Sequence, residues 1–194
     1  MSHLFCFGFG FSARHLANRL KVEGWKIYAT ARSEEKCRAL TAEGIEAQAF
    51  DGSAKLKNLD NLNNATHILV SIPPGGSGDP VYNFHRDDLA GMVNLAWIGY
   101  LSATSVYGDT GGVKVAETAM LRAETRRGKR RIQSEKAWIE GGLEFGLPIH
   151  IFRLAGIYGP GRSAIEELRL GRARRVIKEG HLFSRIHVDD IACI

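Results

Sequence analysis

Apolar positions along the chain fall into short runs, and between those runs apolar residues recur with the period of a helix. Residues 4–9 form the first run. Residues 13–23 place Ala13, Leu16, Ala17 and Leu20 at helical spacing and stop at Gly24. Residues 25–31 read as a second strand, 34–43 as a helix ended by Gly44, and 45–50 as a third strand. A fourth strand over 67–72 is stopped by Pro73 and Pro74, and the turn-rich stretch PPGGSGDP follows. Beyond it the pattern predicts a helix over 82–92, a strand over 97–102 and a polar, irregular stretch over 108–130. A helix over 131–145 then closes at Gly146. A sixth strand over 148–154, a helix over 164–177 and a short strand over 182–188 complete the series. Strands separated by helices predict an α/β fold with a Rossmann-like, doubly wound parallel sheet, because right-handed crossovers place helices on both faces.

The junction of the first strand and first helix carries candidate chemistry. Gly8-Phe9-Gly10-Phe11-Ser12-Ala13 fits G-x-G-x-x-G/A. The first glycine permits the tight turn and the second lets the backbone approach a pyrophosphate. The third position must be small so that helix and strand pack closely. The helix N-terminus then offers unpaired N–H groups and a partial positive charge. The second strand ends in Ala31-Arg32-Ser33, where an NAD site usually places Asp or Glu to accept from the ribose 2′-hydroxyl. Arg32 suits a 2′-phosphate instead, with Ser33 adding a hydroxyl, which favours NADP over NAD. Arg32 is alternatively a plain surface residue after a strand. Asp51, after the third strand, is placed either to accept from an adenine amino group or to close a turn. Ser71, at the end of the fourth strand, completes the expected cofactor set. Residues 1–160 are read as the NAD(P)-binding domain, and residues 161–194 as the start of an incomplete, truncated C-terminal substrate lobe.

Composition narrows the setting. Of 194 residues, 44% are hydrophobic and 24% charged, the balance of an ordinary globular domain. Cys6, Cys37 and Cys193 have no metal-ligand or C-x-x-C spacing, so no metal is expected, and the sparse odd set suits a reducing, cytoplasmic compartment. The apolar N-terminus lacks a basic leader and is broken by glycines, so it reads as a strand and not a signal peptide. No apolar run is long enough to span a membrane. The net charge of +5 is concentrated at 122–131 and 169–178. These runs are either surfaces for a phosphate-bearing small molecule or solvated helix faces. Aromatic residues do not interleave them, which disfavours nucleic acid.

Three further segments are LSATSVYGD at 101–109, FRLAGIYGPGR at 152–162 and FSRIHVDD at 183–190. With the glycine turn, they resemble the extended and atypical short-chain dehydrogenase/reductases, nearest the epimerase/dehydratase-like branch that acts on nucleotide sugars. The resemblance implies a nicotinamide site beside the end of the fifth strand, with a sugar-like substrate over strands five and six. It implies a Ser or Thr where this chain has Ala103, flanked by Ser102 and Thr104. It also implies a Tyr-x-x-x-Lys pair on the next helix. None of the five tyrosines has lysine four positions on. If Glu135 follows the lysine position, Arg131 and Arg127 stand where lysine and tyrosine belong. Arginine stays protonated and is a poor proton shuttle, so the catalytic acid/base is unassigned. Arg131 remains a candidate ligand of the nicotinamide ribose. Arg162, after Gly-Pro-Gly, is a candidate grip for a substrate phosphate or carboxylate, or a surface residue. His187 and Asp189 read as structural, with Asp189 or Asp190 capping a final helix. The resemblance fits an NADP-binding oxidoreductase- or epimerase-like enzyme, or a non-catalytic NADP sensor or scaffold.

Overall fold

Alternation along the first strand sets the layers. In β1 (His3–Phe7), Leu4 and Cys6 face one side of the sheet while Phe5 and Phe7 face the other, and all four are buried. The computed structural model describes every residue except Met1, Val176, Lys178, Glu179 and His181. On the Leu4 face lie helices α1 (Phe11–Val22) and α2 (Glu34–Ala42), around a core that includes Ala13, Ala17, Leu40 and Leu69. The Phe5 face packs α4 (Pro80–Ala90) and α5 (Arg126–Phe145) against a core of Ile68, Val70, Tyr100 and Trp138. The four-residue helix α3 (Asp60–Asn63) contributes Leu62 to that second core.

The remaining strands of the main sheet are β2 (Lys26–Ala31), β3 (Glu46–Ala49), β4 (His67–Val70), β5 (Trp97–Ala103) and β6 (Ile149–Leu154). All pair in parallel, in the order β3-β2-β1-β4-β5-β6. This is the doubly wound order whose reversal between β1 and β4 opens a crevice at the carboxyl ends of the strands. A second, two-stranded parallel sheet joins β7 (Gly156–Tyr158) to β8 (Arg185–His187). The short helices α6 (Ala164–Arg169) and α7 (Val188–Cys193) lie in the same part of the chain. Helix α7 docks on α1: Asp189 pairs with His15 at 3.1 Å, and the Arg19 guanidinium donates to Cys193 Sγ at 2.7 Å.

Several boundaries differ from the sequence pattern. Helix α5 begins at Arg126, five residues before the expected start, because Thr125 caps it by accepting from the Gly128 N–H at 3.1 Å. The irregular stretch therefore ends at Thr125. Gly128 is required there, since a Cβ would lie 2.5 Å from Ala123 and 2.9 Å from the Ser105 carbonyl. Helix α6 ends at Arg169 and not at residue 177; the expected helix over 164–177 and the basic run over 169–178 both reach residues outside the described set. The last strand is confined to Arg185–His187, and Val188 already opens α7. The cap of α7 is His187, whose side chain accepts from the Asp189 N–H; Asp189 and Asp190 occupy its first turn instead of capping it.

Candidate functional site

A cleft of about 810 Å³ opens at the carboxyl ends of β1, β2 and β4. Its floor is the glycine turn. Gly8 has φ +84°, a conformation that favours glycine, and a Cβ there would lie 2.9 Å from Ile72 Cγ1 and 3.0 Å from Ser71 Oγ. Gly8 donates its N–H to Thr30 Oγ1 at 2.8 Å, which locks β1 to β2. Ser71 Oγ lies 3.0 Å from the Gly8 carbonyl and 3.2 Å from that of Phe7, tying the turn to β4. Gly10 has open space where a Cβ would stand, so the backbone is accessible there.

Gly10 is also the N-cap of α1 and supplies no side-chain acceptor. By contrast α2, α4, α5, α6 and α7 are capped by Ser33, Asp79, Thr125, Ser163 and His187. Among the described helices longer than one turn, α1 alone keeps its first N–H groups without a side-chain partner. An uncapped N-terminus facing a cleft is suited to a phosphate.

Six of the residues expected to hold a cofactor line this cleft: Gly8, Phe9, Gly10, Arg32, Asp51 and Ser71. Phe11, Ser12, Ala13 and Ser33 are not in its lining. Ala13 is fully buried between helix and sheet, the packing role its small size serves. Ser33 caps α2, accepting from the Lys36 N–H at 3.4 Å. Asp51 closes a turn, accepting from both the N–H and hydroxyl of Ser53, and those bonds hold its carboxyl below the usual range. Sequence reasoning missed Arg14 and Lys36, which bring two more cations to the cleft beside Arg32. Arg14 stacks over Phe9 at 5.3 Å and pairs with Glu43. Among the described residues, Arg32 pairs with no carboxylate. The outer wall is the loop from Pro73 to Gly78, closed by the Gly75 N–H donating to the Gly78 carbonyl at 2.9 Å, with Pro80, Asn83 and Phe84 of α4 beyond it.

The far end of β5 is built differently. Ser102 is buried and donates to Glu135 of α5, so its hydroxyl is committed to the interior. Glu135 also accepts two bonds from Arg153 of β6, at 3.0 and 2.9 Å. Arg153 donates further to the Tyr107 hydroxyl at 2.9 Å and the Glu117 carbonyl at 2.6 Å. Arg131 donates to the Leu101 carbonyl at 2.8 Å, which occupies it with the strand. Arg127 is exposed. Arg162 lies outside the cleft lining, over the Phe11 ring at 5.4 Å, beside the N-terminus of α1. Tyr158 is exposed and packs edge-on against His187. Among the described residues there is no group of three or more potential metal ligands. No described helix is long and apolar enough to cross a membrane.

No protein-family model matches the chain. It is 28% identical to the protein YeeZ of Escherichia coli K12 over 197 aligned positions, covering 95% of this chain and 68% of YeeZ. A functionally unknown conserved protein from Silicibacter pomeroyi superposes with a TM-score of 0.87 at 41% identity, over 100% of this chain and 66% of that one. UDP-glucuronic acid 4-epimerase from Bacillus cereus, solved with UDP-glucuronic acid and NAD, superposes with a TM-score of 0.73 at 16% identity, covering 99% and 71%. The chain thus spans about two thirds of the length of these relatives. It has the Rossmann-like α/β fold of the extended short-chain dehydrogenase/reductase and epimerase/dehydratase structures.

Proposed function

We propose that the chain binds a nicotinamide dinucleotide, NADP in preference to NAD, in the cleft above the glycine turn. The supporting observation is an uncapped α1 N-terminus in a cleft whose lining includes Arg32 and Lys36 together with Arg14, itself paired with Glu43, and no carboxylate at the end of β2. The α1 N–H groups and the open face of Gly10 would hold the pyrophosphate, and Arg32 and Lys36 the 2′-phosphate. Bound NAD(P) would supply hydride transfer at the nicotinamide C4. The B. cereus relatives include a UDP-N-acetylglucosamine 4-epimerase, and such likeness supports a sugar-like or nucleotide-sugar-like substrate, with Arg162 as a contact. Residues 161–194 would begin the substrate-binding lobe.

A second reading, a cofactor sensor or scaffold without turnover, rests on a specific arrangement. Ser102 and Arg131, beside and at the positions that the family uses for chemistry, are both spent on internal hydrogen bonds. Turnover of the bound cofactor with any substrate separates an enzyme from a sensor.

Titration with NADPH and NADH, followed by nicotinamide fluorescence, tests the cofactor assignment. NADPH is expected to bind more tightly. Arg32→Asp should weaken NADPH about ten- to a hundredfold, the value of a lost charge-assisted bond, and leave NADH much less affected. Equal binding of both nucleotides by the unaltered protein would remove the NADP assignment. Binding of neither would remove the dinucleotide reading.

A further inference from the structure

The buried stripe of α4 runs Val81, His85, Leu89, and its middle member is polar. His85 is 0% exposed, between the rings of Phe7 of β1 at 5.3 Å and Phe50 at 5.5 Å. Both of its ring nitrogens are engaged. Nε2 receives the Leu56 N–H at 3.3 Å, and Nδ1 lies 2.9 Å from Asp88 Oδ2. A backbone N–H only donates, so Nε2 must offer its lone pair. The imidazole proton therefore sits on Nδ1, where the Asp88 carboxylate accepts it. The hydrogen bonds select one neutral tautomer.

Leu56 belongs to the segment 51–57, which follows β3 and carries one wall of the cleft: Asp51, Gly52 and Ser53 line it beside Phe50. The segment is seated on α4. Gly52 meets Pro80 so closely that a Cβ would lie 2.9 Å from Pro80 Cβ. Lys55 pairs with Asp88 at 2.7 Å. Leu56, itself buried, is held by its bond to His85. The last two contacts share the Asp88–His85 pair.

We propose that His85 is a proton-controlled latch: the neutral ring holds the 51–57 wall of the cleft against α4, and protonation of Nε2 releases that wall and weakens binding in the cleft. A second ring proton would point at the Leu56 N–H, donor against donor. Because His85 is shut off from solvent, neither donor regains a partner while the segment stays seated. The charged groups that face the ring are Asp88 from α4 and Lys55 from the segment; Phe7 and Phe50 bring none. Burial, the largest influence, holds the imidazole below the ordinary histidine value. The bond to Asp88 opposes that shift and the Lys55 cation adds to it. The latch is therefore engaged above about pH 6.5 and is lost as pH falls through the depressed value. The latch itself does not depend on the cofactor reading, whereas its effect on nucleotide binding rests on it.

The test is made on the full, ¹⁵N-labelled chain by nuclear magnetic resonance, first without nucleotide. In the neutral ring, Nε2 should resonate as an unprotonated nitrogen and Nδ1 as a protonated one. Below about pH 6.5 the hydrogen-exchange protection of the Leu56 amide should fall by up to about tenfold per pH unit, because the released state carries one proton more. The amides of β4 should keep their protection over the same range. His85→Gln accepts through its amide oxygen and does not titrate, so it should remove the fall. NADPH, the probe for the cleft, should lose affinity over this window more steeply in the unaltered protein than in His85→Gln. Its 2′-phosphate titrates near pH 6 and affects both alike. A neutral ring protonated at Nε2, a Leu56 amide that follows the β4 amides at every pH, or a fall that persists in His85→Gln would overturn the latch. The same pH dependence of NADPH binding in both proteins would overturn its hold on the cleft. The Leu56 transition in a chain that binds no NADPH would support the latch and remove the cofactor reading alone.

Discussion

Asp79 holds two roles in one carboxyl group: one oxygen caps α4 and the other points into the interior. Burial raises its carboxyl to about 6, so folding favours the protonated form. The associated stability is fully present below about pH 4 and is lost as pH rises through about 6, a change of about 3 kcal/mol for this group. Asp79→Asn keeps the capping oxygen and removes the titration. Its unfolding free energy is expected to lack that fall between about pH 4 and pH 6, and a slope unchanged from the wild type would refute the assignment. Residues of this kind were not legible in the sequence. Gly8 to Ala13 announced themselves because their requirements are local: a positive φ, a close backbone approach and a small side chain. Asp79 sits in PPGGSGDP, which reads only as a turn, and its burial depends on β5 and α5, distant in sequence. Arg14 and Lys36 were hidden similarly, since their convergence with Arg32 depends on how α1 and α2 lie over the sheet.

At the scale of elements, the ends of β5 and β6 are joined to α5 through Ser102, Glu135, Arg153 and Tyr107. Glu135 is 1% exposed and Arg153 18% by side chain, so the pair lies largely out of water. Removing one partner leaves the other charge uncompensated. Arg153→Met is expected to destabilise the fold by about 3–5 kcal/mol in chemical denaturation. A loss under about 1 kcal/mol would show that water screens Glu135. Strand and helix order was legible from hydrophobic period alone, because the core on each face is apolar and regular. The start of α5 was not. Its first turn is a run of Arg, Gly and Lys with no apolar stripe, and only the Thr125 cap and the close packing of Gly128 mark it. The length of α6 was overestimated because apolar residues beyond Arg169 continue a rough helical period, whereas the chain turns at Gly171 with φ +66°.

Across the whole molecule, two unlike cores sandwich one parallel sheet, and the cysteines sample both depth and edge. Cys6 is fully buried in β1 and Cys37 is 3% exposed in α2, while Cys193 is exposed at the end of α7. Burial pushes the thiols of Cys6 and Cys37 up, which further suppresses their reactivity. A thiol reagent is therefore expected to modify one cysteine in the native chain and three after unfolding. Rapid reaction of two or more in native buffer would contradict the packing of α2 against the sheet. The docking of α7 on α1 bears on the order of events during synthesis. His15 and Asp189 are separated by 174 positions, and closing a loop of that length costs about 5 kcal/mol in chain entropy beyond a constant. The contacts of β1, α1 and β2 close over far shorter spans. A nascent chain can therefore shape the glycine turn early, while the flank of α1 stays open to solvent, and to chaperones, until α7 has left the ribosome.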